Sequence, residues 1–279
     1  MPDGISTLSA MPGLDGNRPF VIIQISDLHC GEPHFVPNLL ERAISEINDL
    51  GADIVICSGD LTTFGFKEEY AQAKAYLERI ECPSLVVIPG NHDSRNVGYV
   101  HFEELFGDRN SVLRVGGVTV VAVDSSEPDL DHGQIGRGRY PWIEKQFAPP
   151  ADLRVFVLHH HLLPVPGTGR ERNIVHDAGD ALECLQRAKV NLVLSGHKHV
   201  PYAWKLEDLF VVNAGTVSSL RLRGNTRPCY NVIEFSGGHV DVWRRYPFHG
   251  QERIIQFSTE TLAFEKYTAR IEREVTTRS

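Results

Sequence analysis

The feature that most constrains this chain is an alternation, in its first third, of short apolar runs with longer amphipathic stretches. Residues 20–25 (FVIIQI) predict a strand, and residues 37–50 predict a helix with its apolar side chains on one face. A strand over 53–57, a helix over 67–80 and a strand over 85–88 follow. This βαβαβ order favours a parallel sheet covered by helices.

The remainder of the chain is richer in strands than the first third. Strands are predicted over 118–123, 155–158, 192–194, 210–212, 231–235 and 240–243, and helices over 140–147 and 178–189. Such a strand content needs two sheets or one mixed sheet. Because no repeat or linker-like composition divides the chain, we expect one domain over 19–250, a lead-in over 1–18 and a polar C-terminal extension over 251–279.

The charge balance argues against a general nucleic-acid or membrane-surface binder. The 279 residues carry a formal net charge of -8, whereas such binders present a basic face. This leaves nucleic acid disfavoured but not excluded, since bound metal can supply the positive charge that an anionic substrate needs. Apolar runs are too short to span a bilayer, so no membrane partner is expected.

The terminus and the cysteines bear on the cellular compartment. Residues 1–18 lack the basic start and apolar middle of a secretion signal. The five cysteines are scattered and form no CxxC motif, a pattern typical of a reducing compartment. We therefore expect a cytoplasmic protein. A homodimer is the default expectation for an enzyme of this size, although no residue pattern demonstrates one.

Polar side chains suited to metal binding follow five of the predicted strands. The exits read SDLHCG from residue 26, SGDLT from 58, PGNHD from 89, HHHLLP from 159 and SGHKH from 195. Each piece alone is more often a surface turn than a functional site. Because ligands bind at the carboxyl ends of strands in α/β sheets, the five exits together predict one cluster of oxygen and nitrogen donors.

The donor set suits two ions better than one. Seven candidate ligands lie at these exits: Asp27, His29, Asp60, Asn91, His159, His197 and His199. Carboxylate and imidazole ligands favour zinc, manganese or iron. Two divalent ions, two carboxylates and one hydroxide leave a net charge of about +1, which suits a phosphodiester monoanion.

The five motifs, in this order, resemble those of the calcineurin-like metallophosphoesterase superfamily, over residues 20–235. The resemblance implies an α/β fold, a four-layer αββα sandwich of two mixed β-sheets flanked by helices. It also implies the ligands of the two ions, which are Asp27, His29 and His199 for one and Asn91, His159 and His197 for the other, with Asp60 bridging. His160 is the alternative to His159, because the family often has two histidines where this chain has three.

The resemblance further implies which residues contact the substrate. His92 is expected to be catalytic, as the acid or phosphate-contacting residue, and Asn91 lies beside it. Asp93 could orient His92, but a turn or a helix cap is the stronger expectation. Arg170, Arg172, Arg221, Arg223 and His34 lie in loops that could reach a substrate, and solvated surface positions explain them equally well.

The implied reaction is hydrolysis of a phosphodiester by a metal-bridged hydroxide. The sequence is more similar to the bacterial cyclic-nucleotide phosphodiesterases than to the serine/threonine phosphatases, so a 3',5'-cyclic nucleotide or another small phosphodiester is the candidate substrate. Three other enzymatic readings use the same ions: a phosphomonoesterase, a nucleotidase and a nuclease. In another class, the chain would be an inactive, metal-stabilised binding module. A Rossmann-type nucleotide binder is disfavoured, because the glycine spacing it needs is missing.

Overall fold

The computed structural model describes residues 18–31, 33–168, 174–223 and 225–267. The predicted lead-in therefore lies almost wholly outside the described residues. The strands are β1 (Phe20–Ile25), β2 (Ile54–Cys57), β3 (Leu85–Val87), β4 (Ser111–Val115), β5 (Val118–Ala122), β6 (Leu153–Val157), β7 (Leu192–Ser195), β8 (Tyr202–Leu206), β9 (Leu209–Asn213), β10 (Tyr230–Ser236), β11 (His239–Tyr246), β12 (Gly250–Ser258) and β13 (Phe264–Lys266). The helices are α1 (Pro37–Leu50), α2 (Lys67–Leu77), α3 (Gly98–Phe106), α4 (Tyr140–Phe147) and α5 (Ala178–Arg187), with a short 3₁₀ helix at Arg137–Arg139.

The strands form two mixed sheets. The first has seven strands in the order β13-β12-β11-β10-β1-β2-β3, and the second has six in the order β4-β5-β6-β7-β9-β8. Strands β1, β2 and β3 are mutually parallel, as are β5, β6, β7 and β9. The antiparallel strands lie on the flanks of these parallel sets. The predicted α/β fold of two mixed sheets flanked by helices is confirmed.

Three apolar clusters separate the four layers. The central one fills the space between the sheets, with Ile56 from the first sheet and Val155 from the second. A second joins the first sheet to α1, α2 and α3 and includes Ile23 and Tyr70. A third joins the second sheet to α4 and α5. The central strands are buried on both faces, which explains why their sequences are continuous apolar runs rather than alternating ones.

Helix α1 shows how local sequence sets the bounds of an element. Pro37 occupies its first turn, where the missing N–H costs no hydrogen bond. Gly51 ends the helix in the left-handed conformation, at φ 61°. Helix α1 begins and ends where the sequence predicted.

The C-terminal part continues the first sheet. Strand β12 pairs with β11 along its length, with one register shift between Val242 and Trp243. Strand β13 then pairs with β12. The extension that we predicted from residue 251 thus contributes two strands through residue 266, and residues 268–279 lie outside the described part of the chain.

Among the described residues, no helix combines the length and the apolar character needed to cross a bilayer.

Candidate metal centre

The five predicted strand exits converge at one edge of the sandwich. Neighbouring exits are joined by backbone hydrogen bonds: the Asp27 N–H donates to the Gly59 carbonyl at 2.9 Å, and the His29 N–H donates to the Asp60 carbonyl at 3.0 Å. The two sheets meet where the His197 N–H donates to the Asp27 carboxylate at 3.1 Å. Ligand candidates from both sheets therefore share one buried centre.

Two glycines allow the exits to approach this closely. A Cβ on Gly90 would lie 2.1 Å from Oδ1 of Asp60, and a Cβ on Gly196 would lie 2.6 Å from Oδ2 of Asp27. Any larger residue would push the loop away from the carboxylate. The glycine that precedes Asn91 and the glycine that precedes His197 are thus required by packing around the carboxylates.

Five of the seven ligand candidates have a left-handed backbone. The φ angles are 54° for Asp27, 52° for His29, 53° for Asp60, 75° for His197 and 56° for His199. Such angles are uncommon outside glycine and cost about 1–3 kcal/mol each where the backbone is strained. Strain that is concentrated on the ligand candidates is typical of a functional site.

One group of donors, here called site A, consists of Asp27, His29 and His199. Nε2 of His199 lies 2.8 Å from Nε2 of His29 and 3.2 Å from Oδ1 of Asp27. The Nδ1–H of His199 donates to the Arg221 carbonyl at 2.7 Å, which leaves Nε2 with its lone pair directed at the group. This arrangement of a ligand nitrogen and an anchored second nitrogen is usual for metal-bound histidine.

A second group, here called site B, consists of Asn91, His159 and His197. The Nδ1–H of His159 donates to the Ser58 carbonyl at 2.8 Å, while its buried Nε2 has no hydrogen-bond partner. Oδ1 of Asn91 lies 2.9 Å from Nδ1 of His197. An orphaned buried nitrogen beside a second imidazole and an amide oxygen fits a metal ion.

Asp60 lies between the two sites. Its Oδ2 is 3.3 Å from Nε2 of His159 and 3.7 Å from Nε2 of His29. The three candidate ion-binding groups in the described residues overlap through these side chains: Asp27, His29 and His199; His29, Asp60 and His92; and Asp60, His159 and His197. One carboxylate within reach of both sites is the geometry that a bridging ligand requires.

The pKa values of the centre follow from burial and from the carboxylates. Burial lowers the pKa of the His29 imidazole to about 3, despite the neighbouring Asp60 carboxylate. Burial also opposes charge on His159, but Asp60 and Asp27 outweigh it and raise the pKa of His159 to about 9. Burial alone would raise the pKa of Asp60, yet His159 and His92 hold it well below the ordinary value. The centre thus keeps its carboxylates ionised and attracts positive charge.

His92 adjoins the centre and is held by its own neighbours. Its backbone N–H donates to Oδ1 of Asp60 at 2.9 Å, and its Nδ1–H donates to the Thr63 carbonyl at 2.7 Å. The ring meets the edge of His29 at 4.8 Å between centroids. Nε2 is therefore the nitrogen left for a substrate.

His159 directs its Nε2 at Asp60, whereas His160 has neither nitrogen directed at the other ligand candidates. The Nε2–H of His160 donates to the Asp131 carbonyl at 3.3 Å, and its Nδ1 accepts from the Ser125 hydroxyl at 2.9 Å. Both nitrogens of His160 are thus used. Ser125 belongs to a sixth polar strand exit, residues 124–126 after β5, which our sequence reasoning missed. The signal was present as the letters DSS directly after an apolar run.

Asp93 forms a turn, which is one of the roles expected of it. Its carboxylate accepts hydrogen bonds from the N–H groups of Leu61, Thr62 and Gly90 and from the Thr62 hydroxyl, at 2.7–3.0 Å. It therefore closes the turn that starts at Gly90. It caps no helix, because the next helix begins at Gly98. It also ties the exit of β2 to the exit of β3.

The other loop residues singled out in the sequence differ in where they lie relative to the centre. Arg221 supplies the backbone carbonyl that anchors His199, and the carbonyl of His34 accepts from the Leu220 N–H at 2.9 Å. Arg223 is exposed. Arg170 and Arg172 lie outside the described residues.

Similarity to known proteins agrees with this geometry. Residues 20–201 match the calcineurin-like phosphoesterase family. A protein of Arcobacter nitrofigilis named probable glycerophosphodiester phosphodiesterase GpdQ is 31% identical over 50% of this chain, and the match spans only 56% of that relative. A probable cyclic nucleotide phosphodiesterase of Xenorhabdus bovienii is 25% identical over 75% of this chain and 85% of its own length. A cAMP/cGMP dual specificity phosphodiesterase of Mycobacterium tuberculosis is 25% identical over 65% of this chain and 63% of its own.

Solved structures show the same fold. Purple acid phosphatase PPD1 from yellow lupin has a TM-score of 0.67 at 18% identity and covers 83% of this chain and 52% of its own. Plasmodium GAP50, described as the anchor in the inner membrane complex, has a TM-score of 0.65 at 13% identity, over 90% of this chain and 89% of its own. The family match covers well over half of the chain, and its range includes the five strand exits that converge in the structure. The chain therefore belongs to the calcineurin-like phosphoesterases, a family of metal-dependent phosphoric ester hydrolases.

Proposed function

We propose that the chain is a binuclear metal-dependent phosphodiesterase that hydrolyses a small phosphodiester. The observation that supports this best is the overlap of three ion-binding groups through Asp60 and His29. Relatives named as cyclic nucleotide or glycerophosphodiester phosphodiesterases make these two substrate classes the first to test.

The residues present fit two ions. Asp27, His29 and His199 would hold one ion in site A, Asn91, His159 and His197 would hold the other in site B, and Asp60 would bridge. The fit rests on the orphaned Nε2 of His159 and on histidines whose second nitrogen is anchored to a carbonyl. Oxygen and nitrogen donors without thiolates suit manganese, iron or zinc.

The bound ions would polarise the phosphate oxygens and lower the pKa of an attacking water. The chain itself contributes position and a proton. The Thr63 carbonyl fixes the ring of His92 through Nδ1, so Nε2 is presented to the substrate. From there His92 donates a proton to the leaving oxygen, a contribution of about 10²–10⁴-fold when the donor is well placed.

The direct test compares esters on protein that has been stripped of metal and reloaded. A diesterase cleaves bis(p-nitrophenyl) phosphate faster than p-nitrophenyl phosphate, and a panel of cyclic nucleotides, glycerophosphodiesters and DNA then ranks the natural classes. A preference for the monoester would overturn the proposal in favour of a phosphomonoesterase or nucleotidase. Preference for DNA would indicate a nuclease.

The alternative of another class is a metal-stabilised binding module. The fold does not exclude it, because GAP50, which shares the fold, is described as an anchor. The complete set of ligand candidates argues for catalysis, since a binding scaffold has no need of a bridging carboxylate and a proton donor together. Two bound ions with no turnover on any ester of the panel would favour the binding module.

A further inference from the structure

A carboxylate that the sequence motifs do not include, Asp131, contacts the ligand candidate Asn91. It lies in the segment between β5 and the 3₁₀ helix. Nδ2 of Asn91 donates to Oδ1 of Asp131 at 3.3 Å, and Nη2 of Arg95 donates to the same oxygen at 2.6 Å. Asp131 is largely exposed, with 59% of its side chain accessible, whereas Asn91 is buried. A surface side chain thus reaches a buried ligand candidate.

The contact decides which way the Asn91 amide points. An ionised carboxylate has no proton to donate, so only the NH₂ group of Asn91 can face Asp131. The amide oxygen must then face the opposite side, where it lies 2.9 Å from Nδ1 of His197 in site B. The reversed amide would set two oxygens against each other and direct an NH₂ group, which cannot bind a cation, into the site.

Arg95 connects the same carboxylate to His92. Nη1 of Arg95 lies 3.5 Å from the Thr63 carbonyl, the group that holds the His92 ring, and 3.1 Å from Nδ1 of His92. The Arg95 guanidinium therefore contacts both the Asp131 carboxylate and the Thr63 carbonyl, which holds the ring of His92. Charge-assisted pairing with Arg95 also holds the Asp131 carboxylate in place.

The segment that carries Asp131 is held by hydrogen bonds at Asp131 itself and at Asp129, two residues earlier. The carbonyl of Asp131 accepts from the Nε2–H of His160, and the carboxylate of Asp129 accepts from the Asn96 N–H at 2.9 Å. These bonds fasten the segment to the exit of β6 and to the turn after Asn91. The position of the Asp131 carboxylate is therefore set by the fold.

We infer that Asp131 is a positioning residue that orients the Asn91 amide and thereby sets the ion affinity of site B. The inference rests on the proposed assignment of Asn91 as a ligand of that site. Outer-shell groups that orient a ligand typically change metal affinity by about 10–100-fold, so Asp131→Ala should weaken one class of ion sites by that factor. Site A shares no contact with Asp131 and should keep its affinity.

The test is calorimetric titration of chelator-treated protein with Mn²⁺, without substrate. The variants are Asp131→Ala and Asp131→Asn, and the matched control is Glu127→Ala. Asp131→Asn keeps an oxygen that can accept from Asn91, so it should restore most of the affinity. Glu127 lies on the same segment, but its carboxylate pairs with His132 at 3.4 Å instead of with Asn91. Thermal denaturation of the metal-free variants checks that all of them fold alike.

The expected result is two classes of ion sites in the parent, of which only the weaker is lost or weakened in Asp131→Ala. Unchanged titration of Asp131→Ala would overturn the inference. So would equal losses in Asp131→Asn or in Glu127→Ala, because the effect would then arise from charge or from the segment as a whole. A parent protein that binds a single ion would instead overturn the two-ion proposal, and the inference with it.

Discussion

Sites A and B differ in charge and in how their ligands are held. Site A has its own carboxylate, Asp27, and two histidines, all buried. Site B has no carboxylate besides the shared Asp60, and one of its ligand candidates, Asn91, is hydrogen-bonded to an exposed side chain. The amide oxygen is a weaker ligand than a carboxylate because it carries no net charge. The proposed ions would therefore be held unequally, with site A the tighter.

The difference in ligand charge between the two sites would affect how each ion acts on the substrate. An ion held by neutral ligands keeps more of its own positive charge for the substrate. The ring of His92 lies against His29 of site A, at 4.8 Å between centroids, so the proton donor adjoins the other site. On charge alone, we expect the ion of site B to draw the phosphoester and the ion of site A to anchor the pair. The following predictions test this difference, from the largest effect to the smallest.

Removing the shared ligand Asp60 should abolish ion binding at both sites. Asp60→Ala deletes the carboxylate within reach of both His29 and His159, so neither ion should be held and activity should fall to background. Metal analysis after gel filtration, with diesterase assays, measures both effects. Retention of two ions with full activity would refute the bridging assignment.

Removing the proton donor should leave both ion sites intact and change only turnover. His92→Ala should lose about 10²–10⁴-fold in kcat for esters with poor leaving groups and little for p-nitrophenyl esters, which need no proton. The exposed His239→Ala serves as the control. Equal losses for good and poor leaving groups would contradict proton donation by His92.

Removing one ligand from each site should separate the two affinities. Asn91→Ala removes a neutral ligand from site B and should cost about 100-fold, at least as much as losing the outer-shell carboxylate that orients it, whereas Asp27→Asn removes a charge from site A and should cost well over about 100-fold. Titration with Mn²⁺ resolves the two classes, and the exposed Asp49→Asn controls for the loss of a surface charge. A larger loss in Asn91→Ala would reverse the proposed order of the sites.

The smallest effect is expected on stability, from a change at Asp93, whose carboxylate joins the exits of β2 and β3. Asp93→Asn replaces one accepting oxygen with an NH₂ group that faces the N–H donors of the β2 and β3 exits. The free energy of unfolding should fall by about 1–3 kcal/mol, the cost of buried donors left without acceptors. Urea denaturation of the metal-free protein, again beside Asp49→Asn, measures it. An unchanged midpoint would show that these donors find other acceptors.

The sequence predicted the parallel strands and the residues at their exits because both have short-range signals. Buried parallel strands are continuous apolar runs, and the polar groups follow them directly. Helix α4 was predicted with its observed bounds. Strands β4, β8, β12 and β13 were missed, since β4, β8 and β13 are edge strands and β12 is a half-buried flank strand whose apolar pattern is weaker.

The residues that position the ligand candidates could not be predicted from the sequence in the same way. Asp131 is forty residues from Asn91 in the chain, and its own surroundings in the sequence are those of an ordinary polar loop. Asp93 is adjacent to the motif, but the direction of its carboxylate depends on how the exits of β2 and β3 pack. Contacts between distant loops depend on tertiary structure, which residue spacing along the chain does not encode.

The left-handed backbone at Asp27, His29, Asp60, His197 and His199 has a consequence for how this protein would lose its ions. Backbone hydrogen bonds between the strand exits, such as those from Asp27 to Gly59 and from His29 to Asp60, support these torsion angles without involving a cation. We therefore expect chelation to remove the ions from a cage that keeps its shape. Reloading would then need no slow rearrangement, and its rate should be limited by diffusion and by dehydration of the incoming ion.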